Sequence, residues 1–350
     1  MADSLREQIF KTKQNYETYF DNIRRIRDYK FREFLLYADC IGNSLCEYDI
    51  TTNVAFINNT AIKFDDTWQS NYAKKLYERC INLSETKLKT EPTKIDWLDG
   101  LSCSYNNLAI LQQNQLNDYK SAESNLKKAI VEAKKIIRVS NLLRYHNLLA
   151  GHYNNLAVLQ SDYLNEPKLA VINYYEALKI RKIIIQKSVA TEYLNDLGRT
   201  YFNIANLQKN SLFDFDSADK NYSKAIEIGE QIKKYNPKSD FLYMLSSAYN
   251  NLALMQMYRK DYKQSEKNIK EAIKIRNSIK DEYIEYLVNW AASKSLLAQL
   301  YIATDKPTEA RAIVDEIKPQ AEELLEEYPD YGYLKKVYGW IEDTESDLNQ

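Results

Sequence analysis

The stretch YNNLAVLQSDYLNEPKLAVINYYEAL, residues 153–178, contains two apolar patterns separated by a short polar turn. In the first pattern Tyr153, Leu156 and Ala157 recur at i, i+3 and i+4, which places them on one face of a helix. The second pattern has the spacing i, i+4, i+7 and i+8, again one helical face, and consists of Ala170, Tyr174, Ala177 and Leu178. The stretch is therefore predicted to form two helices joined by a turn at 165–167.

The same two-helix pattern occurs four times, with a spacing of 48 residues between the first elements and a nearly fixed offset to each second element. Its first element is marked by a tyrosine each time: Tyr105, Tyr153, Tyr201 and Tyr249. Its second element is marked by a small residue each time: Ala122, Ala170, Ala218 and Ser265. A weaker fifth unit follows through Leu297 and Ala310, and the second half of an earlier unit lies at 73–81. This periodicity predicts an array of helical hairpins.

Composition favours a helical protein and excludes several other classes. The chain has only 7 Gly and 6 Pro among 350 residues, whereas strand-rich folds and glycine-loop nucleotide folds need those residues in their turns. The formal net charge is −1, which disfavours a dedicated binder of nucleic acid or acidic membranes. No nucleotide-loop, zinc-protease or nucleophile-elbow motif occurs. We therefore expect neither an enzymatic activity nor a cofactor.

The hairpin pattern resembles the tetratricopeptide repeat, whose large, Leu, small, Ala, aromatic and Ala positions are met by Tyr153, Leu156, Ala157, Ala170, Tyr174 and Ala177. The resemblance covers residues 70–350 and implies an all-α fold, a right-handed α-solenoid of helix-turn-helix units that binds protein segments. The chain departs from the family in its period, 48 residues instead of about 34. It also has Gln at 112, 160, 208 and 256, where an aromatic residue is commoner. Such long-period arrays are similar to those of kinesin-light-chain-like proteins and to those beside caspase-like or NTPase domains in bacteria.

The repeat boundaries predict three regions. Residues 1–70 do not follow the period and are expected to form an N-terminal helical cap or attachment region, with helices at 4–29 and 31–45 and an irregular stretch at 49–56. Residues 71–317 are expected to hold about five repeats. Residues 318–350 are expected to complete the last repeat and to end in an acidic capping helix.

Asparagines recur one position before the leucine of the first helix, at 107, 155, 203 and 251. The resemblance implies that this position faces the groove of the solenoid, where a carboxamide can both donate to and accept from a bound peptide. Residues one turn away differ between units, as expected for positions that set specificity. The full predicted peptide-binding set is Asn106, Asn107, Asn114, Asn154, Asn155, Asp162, Arg199, Asn203, Asn206, Asn210, Asn250, Asn251 and Tyr258.

The repeated polar residues are also compatible with a purely structural role. The asparagines can be inherited by repeat duplication and bond only water or neighbouring helices. A second series on the second helices is predicted to be structural, in contact with the first helix of the next unit: Asn125, Asn173, Asn221 and Asn268. His146 and His152 are six residues apart and so point to different helix faces, which predicts a structural role rather than metal binding.

The leading functional hypothesis is a non-catalytic scaffold or adaptor that binds a partner protein segment, without nucleic acid, membrane or metal. The alternative is a regulatory or sensor subunit that controls an associated effector enzyme, for example a caspase-like protease or an NTPase. Cys40, Cys46, Cys80 and Cys103 form no CxxC pair, and the N-terminus has no apolar signal segment. We therefore expect a cytoplasmic location. The sequence leaves the oligomeric state open.

Overall fold

A computed structural model describes residues 54–66, 70–235 and 239–349, and these ranges contain thirteen α-helices. The helices are α1 (Val54–Asp66), α2 (Ser70–Leu88), α3 (Ile95–Asn114), α4 (Tyr119–Val139), α5 (Leu143–Asp162), α6 (Pro167–Lys187), α7 (Thr191–Asn210), α8 (Phe215–Lys233), α9 (Ser239–Tyr258), α10 (Tyr262–Asn277), α11 (Ile284–Ala303), α12 (Pro307–Glu327) and α13 (Gly332–Leu348). All regular structure in the described ranges is helical. The prediction of an all-α helical-repeat fold is confirmed.

Within the described ranges, the residues up to Leu159 and those from Gln160 onward form two compact units, and the boundary between them lies within α5. Within each unit, helices pack in sequential pairs of an odd-numbered first helix and an even-numbered second helix: α1 with α2, α3 with α4, α7 with α8, α9 with α10, and α11 with α12. The core of the first unit includes Phe64, Tyr77 and Leu108. The core of the second unit includes Trp290 and Val314, and α13 packs there on α11 and α12.

The helix boundaries follow the repeated pattern closely. The first helices α3, α5, α7 and α9 begin 48 residues apart, at Ile95, Leu143, Thr191 and Ser239. The small residues of the pattern are completely buried where helices approach one another: Ala109, Ala122, Ala157, Ala170, Ala205, Ala218 and Ala253. A residue without a long side chain at these positions lets two helix backbones come close.

The turn between the first and the second helix has the same backbone geometry in five hairpins. The residue before the N-cap is left-handed, with φ between 52° and 62°, in each of them: Asn117, Asn165, Phe213, Lys260 and Asp305. The N-cap N–H then donates to the carbonyl oxygen of a glutamine at the end of the first helix, at 2.7–2.9 Å, in the four turns that contain Gln112, Gln160, Gln208 and Gln256. Three of the five residues are asparagine or aspartate, which tolerate this conformation, so the turns form without glycine.

The same four glutamines also hold the second helix through their side chains. Each Oε1 accepts a hydrogen bond from an asparagine Nδ2 of the same hairpin at 2.7–2.9 Å, in the pairs Asn125–Gln112, Asn173–Gln160, Asn221–Gln208 and Asn268–Gln256. We call this pair the Asn–Gln clasp. The prediction that this asparagine series contacts the next unit is wrong. The tight left-handed turn folds the start of the second helix back onto the end of its own first helix.

Two buried arginines join a second helix to the following first helix in the second unit. Each guanidinium donates to a backbone carbonyl and to a hydroxyl of that first helix: Arg181 to Asp196 and Thr200, and Arg276 to Asn289 and Ser293. Burial lowers the pKa of both side chains to about 10. Both arginines therefore remain charged at neutral pH and are stabilised by hydrogen bonds to neutral groups.

The structure corrects part of the predicted N-terminal region. The expected irregular stretch at 49–56 is wrong from Val54 onward, because α1 begins there. Residues 57–61 read INNTA and lie 48 residues before YNNLA at 105–109, so α1 is the first helix of another repeat, and α2 is its second. The predictions for residues 1–53, including the helices at 4–29 and 31–45, fall outside the described residues.

Two further observations concern predicted location. Each helix in the described ranges is too short or too polar to cross a lipid bilayer. Cys80 and Cys103 are both free thiols.

Replacing one residue of an Asn–Gln clasp tests how much the clasp contributes to the free energy of unfolding. Gln112 and Asn125 are both buried, so Gln112→Met leaves the Asn125 amide without its acceptor. We expect a loss of about 1–3 kcal/mol in the free energy of unfolding. Adding Asn125→Leu removes both polar groups, and we expect it to recover most of that loss. Urea unfolding of the two single variants and the double variant measures the coupling, and purely additive losses would contradict it.

Candidate functional site

Most of the predicted binding residues of the second unit lie on two adjoining stripes on neighbouring first helices. The stripe on α7 has the helical spacing i, i+4, i+7 and i+11 and consists of Arg199, Asn203, Asn206 and Asn210. The stripe on α9 has the same spacing and consists of Ser247, Asn251, Leu254 and Tyr258. Both stripes lie opposite the buried side of their helix, which on α7 includes Thr200, Ile204 and Leu207. We call the two stripes together the α7–α9 surface.

Hydrogen bonds tie the two stripes together at their middle. Asn251 Nδ2 donates to Asn206 Oδ1 at 3.2 Å, and the Tyr222 hydroxyl donates to the same oxygen at 2.6 Å. Lys209 Nζ donates to Asn251 Oδ1 at 3.0 Å, and burial lowers the pKa of this lysine. The centre of the α7–α9 surface is therefore a polar network that exists without a ligand.

The ends of the α7–α9 surface are open to solvent. Arg199 and Asn210 are exposed, and Tyr258 is 76% exposed. A large aromatic side chain that is so exposed offers apolar contact area together with a hydroxyl group. The surface thus combines a fixed polar centre with a cation and an aromatic ring that a partner can cover.

In the first unit, the predicted asparagines bond one another across neighbouring first helices. Asn155 Nδ2 on α5 donates to Asn106 Oδ1 on α3 at 2.9 Å. Asn106 Nδ2 donates to Asn107 Oδ1 at 3.1 Å, and Asn107 Nδ2 donates to Asn58 Oδ1 on α1 at 3.4 Å. These amides form one chain through α1, α3 and α5. This arrangement supports a structural role, in which asparagines of this series bond neighbouring helices.

His152 extends this chain into the core of the first unit. Its Nδ1 lies 3.0 Å from Asn106 Oδ1, and its Nε2 lies 2.9 Å from the hydroxyl of Ser102. The order Ser–His–Asn is that of a nucleophilic triad, but Ser102 is completely buried and its hydroxyl lies 3.0 Å from the carbonyl oxygen of Ala129. Burial lowers the pKa of His152 to about 3. The neutral imidazole is therefore a packing group between α3 and α5.

The remaining predicted residues divide by exposure. Asn114 and Asp162 are exposed at the ends of their helices, whereas Asn154, Asn203 and Asn250 are partly buried. Asn250 Oδ1 accepts a hydrogen bond from Ser293 at 2.8 Å, and Ser293 in turn contacts the buried Arg276. Asn250 thus belongs to the junction between α9 and α11.

Sequence reasoning missed Lys209, Ser247 and Asn58. Ser247 lies four residues before Asn251 and so continues the α9 stripe, a spacing that the sequence already contains. Asn58 would have been found by extending the 48-residue period one unit toward the N-terminus. Lys209 carries no sequence signal, because its bond to Asn251 depends on how α7 and α9 lie side by side.

Comparison with known proteins assigns the class of the fold. Residues 246–279, from α9 into the turn after α10, match the family model of the tetratricopeptide repeat. The chain is similar to the crystal structures of the S. pombe nuclear import adaptor Nro1 (15% identity, TM-score 0.52, 82% of this chain and 98% of that chain) and of the apo form of RapI (14%, TM-score 0.51, 85% and 98%). It is also similar to BtubC from P. vanneervenii (19%, TM-score 0.51, 71% and 89%).

At these identities the similarity establishes the fold, a helical-repeat solenoid. Within that class, the segment 246–279 matches the tetratricopeptide repeat. The match covers one hairpin and does not test the longer period of the other repeats. The comparison with curated proteins finds no match.

The buried His152 predicts how stability depends on pH. Its pKa is about 3 in the folded chain and about 6.5 in an unfolded one, so the unfolded state takes up the proton first as pH falls. Stability that is present above pH 6.5 is lost between pH 6.5 and pH 3, by about 1.4 kcal/mol at pH 5.5 relative to pH 7.5. Urea unfolding at the two pH values measures this loss. It should persist in His146→Gln and vanish in His152→Gln, and an equal loss in both variants would contradict the assignment.

Proposed function

We propose that the protein is a non-catalytic scaffold that binds an extended segment of a partner protein on the α7–α9 surface. The observation that carries the proposal is the pair of stripes on α7 and α9, which is exposed at Arg199, Asn210 and Tyr258 and fixed at its middle by the Asn206–Asn251 bond. A surface whose polar groups are already held in place loses little conformational freedom on binding. The tetratricopeptide match at 246–279 includes the whole α9 stripe and supports the same role.

The geometry of the surface suits a peptide backbone. Packed helices lie about 8–10 Å apart, and an extended chain rises about 3.3 Å per residue, so the step from α7 to α9 matches about three residues of peptide. Asn206 Oδ1 is occupied by Asn251 and Tyr222, which leaves the Asn206 amide N–H groups as donors for a carbonyl of the partner. Carboxamides recognise a backbone without reading its side chains.

The flanking residues suggest what the segment contains. Arg199 and Lys209 supply positive charge, and Tyr258 supplies an exposed ring. We infer a segment with an acidic side chain near α7 and an apolar side chain near the end of α9. Among structures with this fold, Nro1 is described as a nuclear import adaptor, which is consistent with a scaffold role. The free thiols of Cys80 and Cys103 support work in a reducing compartment such as the cytoplasm.

A comparison of two double variants tests the proposal. Arg199→Ala with Tyr258→Ala removes the exposed cation and ring of the α7–α9 surface. Lys220→Ala with Tyr235→Ala is the matched control, because it removes an exposed cation and an 82% exposed tyrosine from the same unit but outside both stripes. The tagged full chain and both variants are used to capture proteins from the native host, and mass spectrometry quantifies what each retains.

We expect the captured amount of at least one protein to fall about tenfold or more with Arg199→Ala/Tyr258→Ala, because truncating an arginine or tyrosine that a partner covers typically costs this much affinity. The control variant should retain it at the level of the unmodified chain. If every captured protein is held equally by both variants, the α7–α9 surface is not the binding site.

A further inference from the structure

The second helix α6 is apolar on two opposite sides. Its inward side is buried and includes Ala170, Tyr174, Ala177, Leu178 and Ile184. Its outward side carries four large apolar residues that are between 45% and 59% exposed: Leu169, Ile172, Tyr175 and Ile183. At about 100° per residue, these four fall within one third of the helix circumference. We call them the α6 stripe.

The other second helices of the array do not share this feature. The positions of α4 and α8 that lie 48 residues away from the α6 stripe are polar or charged: Ser121, Ser124, Lys127 and Lys135 on α4, and Ser217, Lys220, Ser223 and Gln231 on α8. The corresponding residues of α10 and the turn after it are Gln264, Lys267, Lys270 and Ser278. The repeat scaffold therefore needs no apolar residue at these positions, and α6 differs for a reason of its own.

A helix that is apolar all round is normally covered on every side, and an exposed apolar patch commonly marks an interaction surface. Covering a large apolar side chain stabilises a complex because it removes apolar surface from water. The four residues of the α6 stripe are about half exposed, so a partner that covers them gains this stabilisation at each.

The charges beside the α6 stripe match those of the same helix in antiparallel orientation. In an antiparallel pair of α6 helices with the twofold axis between Ala177 and Leu178, a residue lies opposite the partner residue that is equally far from the axis in the sequence. Ile172 is therefore opposite the partner's Ile183, and Glu176 is opposite the partner's Lys179. Glu176 and Lys179 are exposed on the outward side. Lys168 and Lys187 meet at the rim of such a contact, where solvent screens their repulsion.

We propose that the α6 stripe binds the α6 stripe of a second copy of this chain, as an antiparallel twofold helix pair. The interface is isologous, so the Ile172–Ile183 contact and the Glu176–Lys179 ion pair each occur twice. A contact made by one helix from each copy is small compared with the interfaces of obligate dimers. The expected dimer is therefore weak and depends on concentration.

Sedimentation velocity of the full chain at low salt, from about 1 to about 200 μM, tests the proposal. The mass should rise from that of the 41.1 kDa monomer toward twice that value. Ile172→Lys with Ile183→Gln places on α6 the residues that α8 carries at these positions. We expect this variant to stay monomeric with an unchanged circular dichroism spectrum. An unmodified chain that remains monomeric throughout overturns the proposal.

Charge-reversal variants at Glu176 and Lys179 distinguish binding to a second copy of this chain from binding to any other partner. Glu176→Lys alone and Lys179→Glu alone each place like charges opposite each other twice, and we expect each to weaken dimerisation about tenfold. The double variant Glu176→Lys/Lys179→Glu restores opposite charges only if both helices belong to this chain. Its dissociation constant should return to within about threefold of the unmodified value. A double variant as weak as the single variants would show that the two helices do not meet in this way.

Discussion

The Asn–Gln clasp is the interaction on which four successive hairpins of the array depend, from α3–α4 to α9–α10. One glutamine at the end of a first helix accepts two hydrogen bonds: its side chain accepts one from the second helix, and its carbonyl accepts one from the N-cap of that helix. Together they fix where the second helix starts and how it is rotated. Because the small residues that allow close packing lie on particular faces, a different rotation would move them away from the contact. The clasp also explains why the chain keeps glutamine where the related repeat family favours an aromatic ring.

The junctions between hairpins differ from one another, unlike the clasps within them. Arg181 and Arg276 lie at equivalent positions of their repeats, and each donates to a hydroxyl at an equivalent position of the following helix, Thr200 or Ser293. In the repeat between them, the arginine is replaced by Gly229 and the hydroxyl by Ala248. A Cβ on Gly229 would lie 2.5 Å from Leu245 Cδ1, so that junction is closed by direct packing instead. An arginine at an apolar junction of this kind would have a buried guanidinium without hydrogen-bond partners. Replacing one type of junction with the other would therefore destabilise the fold.

The sequence predicted the hairpins well because helix formation and face burial are properties of one segment, visible as periodicity at 105–109 and 153–157. It predicted hydrogen-bond partners poorly because these depend on distances between segments. Asn125 was assigned to the wrong neighbour although its helix and its face were predicted, since the direction of the bond follows from the turn geometry at Asn117. The helix α1 was missed for a different reason: its INNTA pattern replaces the leucine with Thr60, which weakens the match to the repeat. The groove role of the asparagines remains a proposal, since part of the series bonds neighbouring helices.

The α6 stripe and the α7–α9 surface can be occupied at the same time, because the α6 stripe lies on the side of α6 that faces away from α7. α6 reaches α7 through its buried side, where Arg181 bonds Asp196 and Thr200, and the α6 stripe points away from that contact. A second copy on the α6 stripe would therefore leave the α7–α9 surface uncovered in both chains. Two such surfaces in one dimer would bind a partner with two segments more tightly than one surface can, provided that the partner spans both. A weak dimer suffices for this effect, since a bivalent partner that binds both copies also stabilises their contact by mass action.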